Sequence, residues 1–266
     1  MQRVLKKWVS DDGITQTPSF DPYYTFPILF NTLFDPSKLT KWCDAFRLKL
    51  WAMLLFQWAI IGRPSCITTY SPLFEHTVFP KENENCCPAT GLPIMITVHM
   101  TNWKSRTKSR INKHYPLILW CNCARDPRFC PSCWLMKYVR SEKTNATKKR
   151  NKFVYEGPLF DKPKADQYCS NVAKLFKATQ DKLLVHCTAY SIRRAGAQTV
   201  KRCGYDLVDA RATMREKDIK NAQRYVAQGP VYWINWQNGN SLESDPMKNM
   251  WWYKPNTKAT TEDEFM

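Results

Sequence analysis

Two adjacent arginines, Arg193 and Arg194, stand in the small-residue segment TAYSIRRAGAQTVKRCG. A tyrosine, Tyr225 in QRYV, follows Arg193 by 32 positions. A guanidinium stays ionised and offers forked donors that match two oxygens of a phosphate. A phenol, with an ordinary pKa of about 10, needs activation by its surroundings before it attacks. These residue types suit nucleophilic attack on a phosphodiester, whose pentavalent transition state carries added negative charge that fixed guanidiniums stabilise. Arg63, in IIGRPSCI, supplies a second guanidinium, and Lys104, in TNWKSRTKSR, supplies an ammonium able to protonate a departing 5′ oxygen. Each residue also has a plainer reading. The arginine pair can be a solvated helix face, Tyr225 a core ring, and Arg63 a cation at a helix C-terminus. The hairpin cations can sit in solvent or on DNA backbone. No glycine-rich phosphate loop and no histidine-rich metal motif competes with this set.

Bulk properties narrow the partners. The chain has 266 residues, 44% of them hydrophobic, enough for one sizeable core. Its net charge is +17 and its pI is about 9.4, which points to a polyanion, because each lysine or arginine on a phosphate releases a counterion. The longest apolar run, WAMLLFQWAII, has 11 residues, whereas a membrane span needs about 20, so it reads as a core helix. The N-terminal MQRVLKKWVSDDG has no apolar signal region. Eleven cysteines without a secretory signal suggest reduced thiols. The expected location is the nucleus in a eukaryotic host and the cytoplasm otherwise, with no export and no membrane partner.

The elements that must position these residues follow from pattern. DPSKLT offers an N-cap before a long helical run that ends at Gly62-Arg63-Pro64. Prolines and a glycine mark a loop over 80–93. IMITVHMT (94–101) and HYPLILWC (114–121) read as strands of a hairpin whose tip, NWKSRTKSRINK, is basic. A helix begins at Pro131, a basic loop spans 143–152, and ADQYCSNVAKLFKATQDKLL is an amphipathic helix. Further helices run from about 189 to 228. The expected fold is α+β, mainly helical with a small antiparallel sheet and hairpin. The expected division is a leader or linker over 1–37, a catalytic domain over 38–228 and a C-terminal extension over 229–266.

The stretch from Thr188 to Val226 resembles the second-arginine box and nucleophile of the tyrosine recombinases, or phage-type integrases. GRPSCI looks like that family's first-arginine box. CARDPRFCPSCWLMKYV and EGPLF resemble connecting segments of eukaryotic members such as those of crypton- and DIRS-like mobile elements. The resemblance covers roughly 38–228. It implies that Arg63 and Arg193 clamp the scissile phosphate and that Tyr225 forms a 3′-phosphotyrosine. Lys104 would be the general acid, with Lys108 as the other candidate. Arg106, Lys108, Arg110 and Lys113 would meet DNA. The covalent link conserves the bond energy, so no cofactor, neither ATP nor a metal, is implied. Two positions depart from the family pattern. Tyr190 stands where histidine often precedes the second arginine by three residues. Glu216 stands where histidine or tryptophan usually precedes the nucleophile by nine. A phenol can hydrogen-bond a phosphate oxygen; a carboxylate repels one unless protonated or paired with an arginine such as Arg215. A shift of register by one would put Arg215 itself there.

The family likeness further implies double-stranded DNA as partner and a tetramer on two DNA sites, with 229–266 exchanged between subunits. Residues 1–37 would be the remnant of a separate N-terminal DNA-binding domain. The function so implied is DNA strand breakage and rejoining, serving DNA integration or recombination of a mobile element. The alternatives are a catalytically decayed, recombinase-derived DNA-binding protein and a type IB topoisomerase, which shares the chemistry without joining two sites. A third rests on CNCARDPRFCPSC, which spaces Cys121, Cys123, Cys130 and Cys133 as C-x-C-x6-C-x2-C. Four thiolates can hold a tetrahedral zinc ion. Buried free cysteine is common, however, and Cys130 also belongs to the recombinase-like FCPSCWL, so the expectation here is no metal. His114 and His186 read as strand and core histidines, and the tryptophans after 229 as packing groups.

Overall fold

A computed structural model describes residues 19–79, 86, 87, 90–92, 95–100, 115–121, 123, 126–148, 157–160, 164–181, 184–202, 208, 211, 214, 223 and 225. The fold is built around one interior helix, α2 (Asp44–Ala59). Its sequence, DAFRLKLWAMLLFQWA, contains no glycine or proline, and every residue from Leu50 to Ala59 is buried. A helix apolar all round belongs inside a protein rather than on its surface. It is packed by α1 (Pro22–Phe34), α4 (Pro131–Lys148) and α6 (Ala189–Arg202), while α5 (Ala165–Ala178) packs against α1 and α6. The short α3 (Pro64–Ile67) follows α2 directly.

The helical run expected from about residue 38 starts at Asp44 instead, and Arg47 gives the reason. Its buried guanidinium donates to the carbonyls of Leu33 (2.5 Å), Asp35 (2.9 Å), Lys38 (2.9 Å), Leu39 (3.3 Å) and Trp42 (2.9 Å). The end of α1 and the turn that follows are wrapped around this one cation. Those carbonyls are therefore satisfied outside a helix.

Residues 19–34 differ from the leader or linker expected for 1–37. Phe20, Phe26, Leu29 and Leu33 are fully buried in the main core. Phe26 meets Trp58 edge to face, with centroids 4.9 Å apart at 85°. Ser19 Oγ donates to Gln198 Oε1 on α6 at 2.6 Å. Pro27 lies inside α1 and hides the helix from pattern reading, since an interior proline ordinarily costs about 3 kcal/mol. The aromatic burial of this face outweighs that cost.

The sheet has order β1-β2-β3, with β1 at Thr77–Val78, β2 at Met95–Met100 and β3 at Tyr115–Trp120. β2 and β3 are antiparallel, pairing Met95 with Trp120 and Met100 with Tyr115. Ile96, Val98 and Met100 alternate into the core, as do Leu117 and Leu119. Residues 101–114, which join the two strands, lie outside the described residues. α4 continues to Lys148 through residues expected to loop from 143, because SEKTNATK offers no glycine or proline to stop it.

Candidate active site

The site begins where α2 ends. The Gly62 N–H donates to the Gln57 carbonyl (2.8 Å) and the Ile61 N–H to that of Trp58 (3.0 Å). This is a Schellman ending, which places its turning residue in the left-handed region and favours glycine there. Here that residue is Ile61, at φ 49°, a strained conformation for a β-branched side chain. The turn aims the Ile61 carbonyl at Arg193, whose Nη1 donates to it. Two residues on, Arg63 takes an extended conformation before α3, with Pro64 as the first helical residue.

Gln57 locks this turn to the next part of the site. Its amide nitrogen donates to the carbonyls of Gly62 (3.1 Å) and Ala189 (2.8 Å), and its oxygen accepts from the Tyr168 hydroxyl of α5 (2.7 Å). One buried side chain thus joins the Arg63 turn, the start of α6 and α5. Burial holds the Tyr168 phenol well above its ordinary value, so it remains a donor. At the start of α6, Thr188 Oγ1 accepts from the Tyr190 N–H (3.2 Å) and the Thr188 N–H donates to Ser191 Oγ (3.0 Å). These reciprocal bonds begin the helix in the manner of a capping box.

Arg193, three residues after Tyr190, is 1% exposed. Its Nη2 donates to the Met214 carbonyl at 3.1 Å, and its Cζ lies 4.9 Å from the centroid of the Tyr225 ring. Carbonyl dipoles and a π face replace part of the lost hydration of this buried cation. Tyr190 is 46% exposed. Its pKa is raised by burial, then by Cys169 and Tyr225, and is opposed by the charges of Arg63 and Arg193. Arg63, Tyr190, Arg193 and Tyr225 therefore share one electrostatic neighbourhood. Arg194 is buried as well; burial pulls its pKa down while Tyr225 opposes the shift. The half-buried Arg63 guanidinium and the neutral Tyr190 phenol, next to the buried Arg193 charge and the Tyr225 phenol, are groups whose charge and donors suit an oxyanion.

Of the other expected residues, Lys104, Arg106, Lys108, Arg110, Lys113 and Glu216 lie outside the described residues. Cys121, Cys123, Cys130 and Cys133 gather at the exit of β3 and the start of α4, joined by Cys87. Gln57 was not anticipated, although a lone amide within WAMLLFQWAII is a legible signal, since a buried polar group requires partners.

The solved structures that match the chain include two XerH complexes. One is XerH site-specific recombinase bound to palindromic difH substrate in a post-cleavage complex, with a TM-score of 0.51 and 9% identity, over 82% of this chain and 52% of that one. The other is XerH bound to difH substrate in a pre-cleavage complex, with a TM-score of 0.51 and 9% identity, over 88% and 57%. The fold is tyrosine-recombinase-like. The mainly helical architecture with a small antiparallel sheet is the one expected of that catalytic domain. The chain spans about half the length of the recombinases it matches. No protein-family model and no curated protein matches it.

Proposed function

We propose that this chain breaks and rejoins DNA strands through a 3′-phosphotyrosine intermediate. Arg63 and Arg193 bind the scissile phosphate, and Tyr190 adds a hydrogen bond from a phenol that stays protonated. The Tyr225 oxygen bonds to phosphorus and the P–O5′ bond breaks. Lys104 gives its proton to the leaving 5′ oxygen, and solvent takes the phenol's proton. Rejoining reverses these steps with a 5′-hydroxyl as nucleophile, so one diester replaces another and no external energy source is needed. The observation that carries this reading is the convergence on Arg193, whose guanidinium lies against Tyr225 and is tied to the turn that bears Arg63. The solved recombinases of similar fold are bound to DNA substrate, and double-stranded DNA is the partner proposed here, with assembly on two sites and a role in the integration or recombination of a mobile element. Arg106, Arg110 and Lys113 contact its phosphates.

A covalent-trapping assay on nicked DNA, with EDTA present, tests the proposal. Nicking lets the 5′-hydroxyl fragment diffuse away after attack. An adduct that survives SDS, forms with the native chain, and is missing in Tyr225→Phe and Arg193→Ala is the expected result. DNA that is bound but never joined to protein would overturn it. That outcome favours a decayed, binding-only descendant, a reading motivated by Glu216, and Glu216→His then tests whether that carboxylate is the lesion.

A further inference from the structure

A second site lies in the cysteines at the base of the sheet. Cys87, Cys121, Cys123 and Cys133 each bring a sulfur into a group whose members are all within 4.8 Å of one another. Cys87, Cys123 and Cys133 are buried and Cys121 is half-buried. The Sγ atoms of Cys121 and Cys133 are 3.7 Å apart and those of Cys123 and Cys133 are 3.2 Å apart. In a tetrahedral site with Zn–S bonds of about 2.3 Å, neighbouring sulfurs stand about 3.8 Å apart. A disulfide requires about 2.05 Å, and a multi-iron cluster would interpose its own iron and sulfide between ligand sulfurs. The spacing fits a single small ion.

The surroundings are also those of a thiolate site. Cys133 is in the first turn of α4, where the helix dipole favours negative charge. The Cys123 N–H lies 3.4 Å from Cys121 Sγ, and Thr90 Oγ1 lies 3.3 Å from Cys133 Sγ. Cys87 opens a tight turn in which the N–H groups of Thr90 and Gly91 both point to its carbonyl, at 3.2 and 2.8 Å. Gly91 completes the turn at φ 62°, which suits glycine. Such outer contacts orient ligand sulfurs and hold them against the charge they would carry.

We propose that Cys87, Cys121, Cys123 and Cys133 bind one zinc ion as four thiolates. Binding displaces the thiol protons into solvent, and the ion joins three separate segments: the turn before β2, the exit of β3 and the start of α4. The sequence spacing offered Cys130 beside Cys121, Cys123 and Cys133, with no metal expected; the sulfurs within 4.8 Å of one another are those of Cys87, Cys121, Cys123 and Cys133, while the Cys130 sulfur lies 3.7 Å from that of Cys121 and accepts from the Cys133 N–H at 3.5 Å. The ion would fasten the Met95–Trp120 end of the sheet to α4, opposite the end joined by 101–114.

Elemental analysis of the purified full-length chain tests this directly. The expected content is about one zinc per chain. Cobalt added to chelator-stripped protein should give an intense thiolate-to-cobalt charge-transfer band with the visible spectrum of a tetrahedral site. This readout needs no variant and does not depend on DNA cleavage. Cys87→Ser and Cys121→Ser should lose the metal, while Cys130→Ser and Cys66→Ser keep it. A chain that contains no zinc and gives no cobalt band overturns the site. So does a disulfide among these cysteines in freshly purified protein. Zinc lost in Cys130→Ser and kept in Cys87→Ser would overturn the ligand set.

Discussion

Arg193 lies over the ring of Tyr225, so the ring and the hydroxyl of that residue have separable roles. Tyr225→Phe keeps the aromatic face for the guanidinium and removes only the oxygen. It should abolish the covalent adduct while changing stability by no more than about 0.5 kcal/mol in urea unfolding. Arg193→Lys should behave oppositely: it retains a charge but loses the fork that reaches both Ile61 and Met214. The expected costs are about 1–3 kcal/mol of stability and about a 10²–10³-fold slower adduct formation, read from unfolding and from single-turnover cleavage. Tyr168 gives the pH dependence. Its folded pKa is raised by burial, so its contribution is complete below the unfolded value of about 10 and is lost as pH rises through the folded one. Tyr168→Phe should lower neutral stability by about 1 kcal/mol, through the lost Gln57 bond, yet flatten the decline above about pH 10. Unfolding midpoints across that range would show the two curves converging.

At the scale of elements, the close approach of α6 to the end of α2 sets the site. A Cβ on Gly196 would lie 3.2 Å from the Trp58 carbonyl oxygen and 3.3 Å from Ile61 Cγ1. The first neighbour is backbone in a buried helix and cannot swing aside, so α6 must move. Gly196→Ala should cost about 1–3 kcal/mol and slow adduct formation, because Arg193 moves with the helix relative to the Ile61 carbonyl. Recovery of the rate in an Ile61→Ala, Gly196→Ala double variant, which removes Ile61 Cγ1 and Cγ2, would instead place the conflict in the side chain rather than the backbone. Much of this element plan was legible beforehand. α2 announced itself by an unbroken apolar run and a Gly-Arg-Pro stop, and the β2–β3 pair by alternating residues around a basic tip. α1 was hidden because Pro27 is a local breaker, and long-range packing such as that of Phe26 on Trp58 compensates it. The start of α2 was misplaced because Arg47 collects five carbonyls from residues 5 to 14 positions before it, contacts that hydrophobic periodicity does not encode. Arg63, Arg193 and Tyr225, the residues of the proposed site, were picked out from type and spacing alone. The strained turn at Ile61 that brings two of them together was not, since its reason is a partner 132 positions away.

At the scale of the whole molecule, the proposed reaction asks the charge of +17 to serve two kinds of DNA contact, and experiment can separate them. A cation that only neutralises a phosphate adds about 0.9 to the slope of log affinity against log salt, whatever the leaving group. A cation that protonates the leaving oxygen contributes to cleavage beyond that. Lys104, Arg106 and Lys108 share the same basic segment, so affinity alone cannot distinguish them. Replacing the bridging 5′ oxygen with sulfur can, because a thiolate departs without a proton. Lys104→Ala should cleave the oxygen substrate poorly and the sulfur substrate at nearly the native rate, with a salt slope reduced by about one. Arg106→Ala should show the slope change and no selective rescue by sulfur. Rescue confined to Lys108→Ala would transfer the acid to Lys108, and rescue in neither would remove the general acid from this segment. Arg193→Ala supplies the internal control. Its defect lies in holding the phosphate, so sulfur should not restore it.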